Sequence, residues 1–261
     1  MRLRDASAED HGDFLRLFPE LRVPDAPPDA AKFEREFLGR MFVAEDGGAT
    51  VGVLVYKLYE GVGYVHMIIT DPSARRRGVG RALMTEAMAR FRAAGCKEHA
   101  LSVFPDNHGA IALYEQFGLR KEWVNEVLEV KWALVKGDAR GAIARGIAPE
   151  DDAAVERACR LFPGQIESAR QVGKTLVMIE RDAAVAGAAV FDPAFPGAYP
   201  FRVTKPEDAF ALLAAIRPFA RAEHDYTAVV VEGDPALADH LLAAGGTLRL
   251  ETLRMSGPVP P

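Results

Sequence analysis

The sequence is poor in cysteine and has no long apolar run. Its 261 residues include only two cysteines, Cys96 and Cys159, which lie far apart and indicate neither a disulfide framework nor a zinc-binding pattern. No apolar stretch approaches the roughly 20 residues that a membrane span needs, and the N-terminus lacks the apolar segment of a secretory signal. We therefore expect a cytoplasmic protein without a metal site or a membrane partner.

The charge balance argues against a further class of protein. The net charge is −5, whereas nucleic-acid-binding domains are typically basic. With 49% hydrophobic and 26% charged residues, the composition is that of a globular protein with one large domain or two of ordinary size. We expect no nucleic-acid partner, despite a local cluster of arginines.

That cluster, Arg75-Arg76-Arg77, precedes Gly78-Val79-Gly80 and stands between two predicted elements. The apolar residues 65–69 before it predict a strand, and residues 81–94 after it have the 3.6-residue period of a helix. Glycines let a backbone approach a ligand closely, and the first turn of a helix offers unpaired N–H groups at the positive end of its dipole. The order therefore predicts a phosphate site; a solvated run of arginines at a turn is the alternative.

A second segment, residues 107–119, strengthens the first interpretation. Together the two segments resemble the GNAT superfamily of acyl-CoA-dependent N-acyltransferases. The loop motif of that family, Gln/Arg-x-x-Gly-x-Gly/Ala, is matched at Arg75, Gly78 and Gly80. Its later motif, Asn-x-x-Ala-x-x-Leu-Tyr-x-x-x-Gly-Phe, is matched from Asn107 onward, with Leu119 in place of the final Phe.

The chain is also predicted to contain an internal duplication. The tetrapeptide Arg-Leu-Phe-Pro occurs at residues 16–19 and again at 160–163, and a similar order of predicted helices and strands follows each copy. Hairpin turns at 46–48 and 181–182 favour antiparallel strands. The prediction is an α/β fold with a mixed α+β sheet, made of two tandem GNAT-like domains over 1–137 and 140–256, with a border near residues 136–138.

The second half lacks the features expected to bind phosphate. Its corresponding loop, residues 204–208, contains neither Arg nor Gly, and its two carboxylates would repel an anion. Thr204 and Glu207 have the spacing of a capping box, which would satisfy the helix N-terminus internally. Leu241 aligns opposite Tyr114. We therefore predict a degenerate second domain, either an inert packing module or one wall of the substrate cleft.

The resemblance implies that a primary amine attacks acetyl-CoA directly. The diphosphate would be held by the loop and the start of the helix, at Arg75, Arg76, Arg77, Gly78, Val79, Gly80 and Arg81. A backbone N–H at the end of the preceding strand would polarise the thioester carbonyl, from Ile68, Ile69 or Thr70, because paired strands splay there in this family. Asn107 would either bind the pantetheine arm or only cap its helix.

Two side chains are candidates for proton transfer. Tyr114, with an ordinary pKa of about 10, is protonated at neutral pH and can donate to the departing thiolate; the alternative is a core tyrosine with a satisfied hydroxyl. His66 has a suitable pKa for the base and is predicted to share a sheet face with Ile68 and Thr70. The family often uses a glutamate, which this strand lacks, so a structural role for His66 stays open.

The acceptor is the least determined part. Glu20, Asp25 and Asp29 in and beside a proline-rich segment favour a cationic amine or form a solvated acidic loop. We expect a small-molecule or peptide amine as acceptor and a monomer or homodimer. The alternative to an enzyme is a non-catalytic acyl-CoA-binding sensor or interaction module.

Overall fold

The computed structural model describes residues 1–24, 26–136 and 141–260, which form two compact units. Unit 1 comprises Met1–Glu122 together with Arg254–Pro261, and unit 2 comprises Trp123–Leu253. The predicted border at residues 136–138 lies largely outside the described residues. The boundary between the units lies earlier, between Glu122 and Trp123. It falls within the strand Arg120–Lys131, most of which belongs to unit 2.

The first repeat alternates strands and helices. Its strands are β1 (Arg2–Asp5), β2 (Met41–Asp46), β3 (Ala49–Tyr59), β4 (Val62–Thr70), β5 (Glu98–Val103) and β6 (Arg120–Lys131). Its helices are α1 (His11–Leu17), α2 (Ala30–Glu36), α3 (Val79–Ala93) and α4 (His108–Glu115). The strand predicted at residues 65–69 and the helix predicted at 81–94 are confirmed as β4 and α3, although α3 begins two residues earlier than its hydrophobic period indicated, at Val79.

The sheet of unit 1 separates two layers of helices. Strands β1 to β4 form an antiparallel meander, and β5 runs parallel to β4. On one face, Phe14 of α1 and Phe33 of α2 share a core with Val53 and Ile69. On the other face, the ring of Phe91 in α3 occupies the space where a side chain at position 63 would project. Helix α3 and the pair α1 and α2 therefore cover opposite faces.

The second repeat has the same order of elements. Its strands are β7 (Ile143–Gly146), β8 (Thr175–Arg181), β9 (Ala184–Asp192), β10 (Gly197–Val203), β11 (Tyr226–Glu232) and β12 (Thr247–Pro258). Its helices are α5 (Asp152–Ala158), α6 (Gln165–Gln171), α7 (Ala209–Ile216) and α8 (Pro235–Ala243). Strands β7 to β10 are antiparallel neighbours and β11 is parallel to β10, which repeats the pairing in unit 1.

An ion triad recurs at equivalent places in the two repeats. Each triad joins an arginine of the first strand to one aspartate and one glutamate: Arg4 with Asp10 and Glu45, and Arg145 with Asp151 and Glu180. Hydrogen bonds from Arg145 lower the pKa of Asp151 to about 2, and those from Arg4 likewise lower the pKa of Asp10. The shared triad supports an origin by duplication.

The last strand of each repeat contributes residues to the other unit. Most of β6 belongs to unit 2, and the end of β12 belongs to unit 1. Strand β6, which follows α4, pairs with β11 in unit 2 from Asn125 to Lys131. Strand β12, which follows α8, ends in unit 1, where the Val259 N–H donates to the Lys97 carbonyl at 2.8 Å. Each unit is therefore completed by residues from the other repeat. In the described residues, no helix combines the length and apolarity of a membrane span.

Candidate active site

Strands β4 and β5 are paired over only part of their length. The parallel register joins Val62 through Val65 of β4 to residues 98–101 of β5 and ends there in the described strands. Strand β4 continues to Thr70 with β3 as its partner on the other side. The described strands therefore leave an opening between the carboxyl ends of β4 and β5.

The backbone of β4 has amide groups directed at this opening. The Asp71 N–H donates to the Val51 carbonyl at 2.9 Å, which fixes the alternation of the antiparallel pairing. By that alternation the N–H of Ile69 points toward β3, whereas those of Ile68 and Thr70 point toward β5. Two of the three predicted backbone donors consequently face the opening.

A β-bulge interrupts β4 at His66. In the register with β3, Val55 pairs with Met67, whereas the next residue, Tyr56, pairs with Val65. His66 is thus the extra residue on β4, and a bulge of this kind shifts the side chains beyond it to the other face.

The bulge corrects the prediction that His66 shares a face with Ile68 and Thr70. Met67 packs against the core under α1 and α2, so its neighbour Ile68 points to the α3 face. The ring of His66 lies on the opposite face, with its centroid 6.3 Å from that of Phe37 at the end of α2. The prediction was wrong because it extended a two-residue period across a bulge.

The loop after β4 has two residues in the left-handed region. Asp71 accepts the N–H of Ser73 at 2.9 Å and so begins the turn that leads into the arginines. Arg76 has a φ of 63° and Gly78 a φ of 86°, a conformation that an arginine adopts only at a cost. The chain is therefore folded back tightly before α3.

Helix α3 begins with amide groups that the helix itself does not satisfy. The first hydrogen bond of the helical kind runs from the Ala82 N–H to the Gly78 carbonyl at 3.0 Å. The N–H groups of Val79, Gly80 and Arg81 precede it and have no partner one turn earlier in the helix. They form a donor set at the positive end of a 15-residue helix.

Gly80 lies where three elements converge. A Cβ at this position would be 3.1 Å from Leu113 Cδ2 of α4 and 3.8 Å from Thr70 Oγ1 of β4. Arg81, next in sequence, donates to Gln116 after the end of α4. The start of α3, the end of β4 and the middle of α4 are therefore close together.

The three loop arginines differ in their partners. Arg75 is paired with Glu20, which follows α1, and Arg77 is paired with Asp46 in the β2–β3 hairpin. Arg76 is exposed and makes no ion pair with any residue that the structure describes. The sequence pattern gave no signal for either carboxylate partner.

The two predicted residues of α4 have different surroundings. Tyr114 is 5% exposed, and burial raises its pKa above the usual value of 10. Within the described part of the chain, its hydroxyl has no protein hydrogen bond. Asn107 is the N-cap of α4 and accepts the Ala110 N–H at 3.2 Å, so its capping role is observed.

Two of the three acidic residues predicted for this loop, Glu20 and Asp29, already have partners within the protein. Glu20 is paired as described, and Asp29 caps α2 by accepting the Lys32 N–H at 2.8 Å. Asp25 lies outside the described residues. Among residues 1–24, 26–136 and 141–260, no group of three or more potential metal ligands is found.

Sequence reasoning missed a contribution from the far end of the chain. Arg254 of β12 is buried in unit 1, with its guanidinium carbon 5.1 Å from the centre of the Tyr64 ring. The Tyr64 hydroxyl in turn lies 3.3 Å from Ser102 Oγ, just past the paired part of β4 and β5. Only the exchange of last strands brings Arg254 here, and no local pattern indicates it.

The comparisons with known proteins agree with this geometry. The model of the acetyltransferase (GNAT) family matches residues 7–119. Residues 7–119 are thus the part of the chain that is similar to GNAT acetyltransferases. This confirms the family predicted from the sequence, on the segment that contains both motifs.

Relatives of the GNAT domain are acetyltransferases by name. Mycothiol acetyltransferase of Geodermatophilus obscurus is 33% identical over 122 residues, which are 43% of this chain and 36% of the relative. N-alpha-acetyltransferase MAK3 of Arabidopsis thaliana is 33% identical over 81 residues, which are 30% of this chain and 43% of the relative. The matches therefore span less than half of these relatives.

Solved structures extend the fold to the whole chain. A putative acetyltransferase from Pyrococcus horikoshii superposes with a TM-score of 0.77 at 16% identity, over 98% of this chain and 89% of that one. A tandem GNAT protein from the clavulanic acid biosynthesis pathway has a TM-score of 0.65 at 19% identity, over 100% and 99% of the two chains. The predicted fold of two tandem GNAT-like domains is confirmed.

The second GNAT-like repeat differs at the equivalent loop. Thr204 does not cap the following helix as predicted; its hydroxyl donates to the Ala186 carbonyl at 3.2 Å. The N-cap of the short 3-10 turn is Lys205, which makes no side-chain cap. The prediction was wrong because Thr204 still belongs to the hairpin geometry of β9 and β10, where its N–H also bonds Ala186.

The opening between strands is bridged in the second repeat. Strands β10 and β11 are paired only at residues 197–198 with 228–229, so they also separate early. Arg202 of β10 reaches across to Glu232 of β11, with its Nη2 2.8 Å from a carboxylate oxygen. The Tyr199 hydroxyl also donates to this carboxylate, at 3.4 Å. Side chains of the protein therefore occupy the space that is open in unit 1.

Proposed function

We propose that the GNAT domain transfers an acetyl group from acetyl-CoA to a primary amine by direct attack. The observation that carries the proposal is the opening between β4 and β5 beside the glycine-bearing loop, within the segment that matches the family. The names of the relatives support acetyl transfer. The acceptors that those names indicate are properties of the relatives and are not assigned to this chain.

The start of α3 fits a diphosphate. The N–H groups of Val79, Gly80 and Arg81 are unsatisfied within the helix, and the helix dipole adds positive potential at the same place. Arg76, without an ion pair among the described residues, can add a charge-assisted hydrogen bond to a phosphate oxygen. Gly80 keeps the first turn free of a side chain where α4 and β4 approach.

The backbone of β4 fits the thioester carbonyl. Negative charge develops on the carbonyl oxygen as the amine attacks, and a fixed N–H donor stabilises that charge. Ile68 and Thr70 direct their N–H groups into the opening, whereas that of Ile69 is used by the sheet. We assign the polarising donor to Ile68 or Thr70.

Tyr114 is the proposed acid. As the bond between the amine nitrogen and the acetyl carbon forms and the carbon–sulfur bond breaks, the departing thiolate takes the phenolic proton. The proton that the nitrogen loses as it becomes an amide returns through water to the phenolate, which restores the tyrosine. Burial raises the pKa of Tyr114, so the hydroxyl stays protonated at neutral pH. Its lack of a protein partner in the described residues supports this role over that of a tyrosine with a satisfied hydroxyl.

His66 is the proposed base, acting from the other face of the sheet. The phosphate loop and α3 lie on one face, and His66 beside Phe37 lies on the other. An amine that enters from the His66 face would meet the thioester opposite the cofactor, as direct attack requires. The imidazole would take the proton of the ammonium form.

The second repeat is proposed to bind no cofactor. The Arg202–Glu232 pair fills the separation between its strands, and acidic residues stand at the start of α7. We propose a primary amine of a small molecule or peptide as acceptor, a cytoplasmic location, and a monomer or homodimer.

An acceptor screen tests the proposal. Purified protein is incubated with acetyl-CoA and a panel of small-molecule and peptide amines, and free thiol release is measured. Amine-dependent release supports an acetyltransferase. Saturable binding of acetyl-CoA without turnover of any amine would instead favour the alternative, an acyl-CoA-binding sensor.

A further inference from the structure

The segment from the last turn of α1 to residue 22 is tied to the connection between β4 and α3 by two ion pairs. Arg16, in the last turn of α1, donates to the Asp71 carboxylate at 2.5 Å. Four residues later, Glu20 accepts from Arg75. Asp71 and Arg75 both belong to the connection between β4 and α3, so this segment lies along one side of the opening.

The same segment is tied to the other side of the opening by Arg22. Its guanidinium donates to both carboxylate oxygens of Asp106, at 2.9 and 3.2 Å. It also lies 5.2 Å from the centre of the Phe104 ring. Phe104 directly follows β5, so Arg22 contacts the chain where β5 ends. We call residues 16–22 the strap, because they bind both the segment between β4 and α3 and the segment between β5 and α4, which lie on either side of the opening.

Glu20 binds Arg75, one of the arginines expected to bind the phosphates of the cofactor. A carboxylate and a phosphate present the same kind of anionic oxygen to a guanidinium, and the phosphate carries more charge. Glu20 thus takes the place at Arg75 that a phosphate oxygen would take. At the other end of the strap, Arg22 pairs with Asp106, and neither of these residues belongs to the phosphate loop.

We propose that the strap is an ionic latch that acyl-CoA opens at its Arg75 end. The phosphates of the cofactor replace the Glu20 carboxylate on Arg75, and the strap stays attached through Arg22 and Asp106. Cofactor binding and the Glu20–Arg75 contact therefore oppose each other. The inference rests on the proposed function in requiring that acyl-CoA bind the loop after β4.

The energy of the contact suits a latch. Arg75 and Glu20 are 52% and 32% exposed, and ion pairs so exposed to solvent contribute little. Such a pair can close the empty opening without blocking a ligand that brings several charge-assisted bonds. Removing it should raise cofactor affinity by only about two- to fivefold.

The first experiment measures CoA affinity by calorimetry in the full chain. We expect Glu20→Gln to bind CoA about two- to fivefold more tightly than the unsubstituted protein, since Arg75 is already free. Glu20→Asp retains the charge with a shorter side chain and should show part of the gain. Glu34→Gln, at an exposed position of α2, makes the same charge change away from the latch and should leave the affinity unchanged.

The second experiment measures hydrogen exchange at the strap. The Arg22 N–H, which donates to the Pro19 carbonyl at 3.0 Å, reports on the strap backbone. We expect CoA to speed exchange across residues 18–22, including the Arg22 N–H, in the unsubstituted protein and to have no such effect in Glu20→Gln. Equal CoA affinity of the two proteins, or unchanged exchange with CoA bound, would overturn the latch. Failure of CoA to bind either protein would instead overturn the proposed function.

Discussion

Arg181 and Asp208 form an ion pair in unit 2 whose charges are the reverse of the Asp46–Arg77 pair in unit 1. Arg181 and Asp46 hold the same place, because each is the last residue of its strand and pairs with the first residue of the next. In unit 1 the hairpin is acidic and the loop before the helix is basic. In unit 2 the loop side of the pair is acidic, which disfavours an anion at the helix N-terminus.

The loops also differ in length. From the residue after the fourth strand to the helix N-cap, unit 1 has residues 71–78 and unit 2 has residues 204–208. The shorter loop has no room for the turn that places two residues in the left-handed region. Loss of the loop, reversal of charge and the Arg202–Glu232 bridge all support a single cofactor site.

Removing the arginine without an ion pair should weaken cofactor binding. We expect Arg76→Ala to lower acetyl-CoA affinity about tenfold or more, since a charge-assisted hydrogen bond contributes about 1.5–3 kcal/mol. The double change Arg75→Ala and Arg77→Ala should also weaken binding. Arg202→Ala in the second repeat, if it stays folded by circular dichroism, should leave the affinity unchanged; equal losses there would argue against a single site.

Removing the Tyr114 hydroxyl should slow transfer and leave binding intact. We expect Tyr114→Phe to lower kcat by about 10²- to 10⁴-fold, because general acid catalysis contributes on that scale. The KM for acetyl-CoA should change little, and Tyr226→Phe is the matched control. Because burial raises the Tyr114 pKa above 10, its ionisation should cause no loss of kcat below about pH 10. A kcat unaffected by Tyr114→Phe would remove it from the mechanism.

Gly52 of β3 should not tolerate a side chain. A Cβ there would lie 2.7 Å from Val79 Cγ1 and 3.0 Å from the Ile69 carbonyl oxygen. We expect Gly52→Ala to destabilise the protein by about 1–3 kcal/mol, the usual effect of overpacking. Gly12→Ala in α1, with nothing within 4 Å of the new Cβ, should instead be neutral or stabilising. Chemical denaturation of both variants checks this, and similar effects would contradict the packing argument.

His99 should make unit 1 sensitive to acid. It is fully buried, with Nε2 3.1 Å from the Phe117 carbonyl oxygen, and burial lowers its pKa from 6.5. The unfolded chain therefore binds the proton more readily, so this contribution to stability is present above pH 6.5 and is lost as the pH falls below it. The slope from one such group is at most about 1.4 kcal/mol per pH unit.

The matched variants for His99 are two neutral substitutions. We expect His99→Gln to reduce the fall in the free energy of unfolding between pH 7 and pH 5, and the exposed His108→Gln to leave it unchanged. The same pH dependence in all three proteins would show that His99 is not responsible.

The sequence predicted much of the fold because its signals are local. The period of α3, the hairpin at residues 46–48 and the Asn107 cap each depend on residues within one or two turns. Asp234 caps α8 by accepting the Leu237 N–H at 3.0 Å, which repeats the Asn107 cap in the other repeat. Duplicated local signals thus made the tandem arrangement visible.

What the sequence could not predict depends on distant partners. The bulge at His66 arises from the register with β3, and no residue type in β4 announces it. Glu20 and Arg75 are 55 positions apart in the sequence, and Tyr64 and Arg254 are 190 positions apart. The exchange of β6 and β12 likewise follows from which sheet edge each strand meets after folding.

Stoichiometry tests the central claim most directly. Calorimetric titration of the full chain with acetyl-CoA should give one site per polypeptide, and Arg76→Ala should weaken that site. Two sites per polypeptide would show that the second repeat binds the cofactor despite Asp208 and the Arg202–Glu232 bridge. Absence of any saturable heat, confirmed by equilibrium dialysis, would contradict the account at its base.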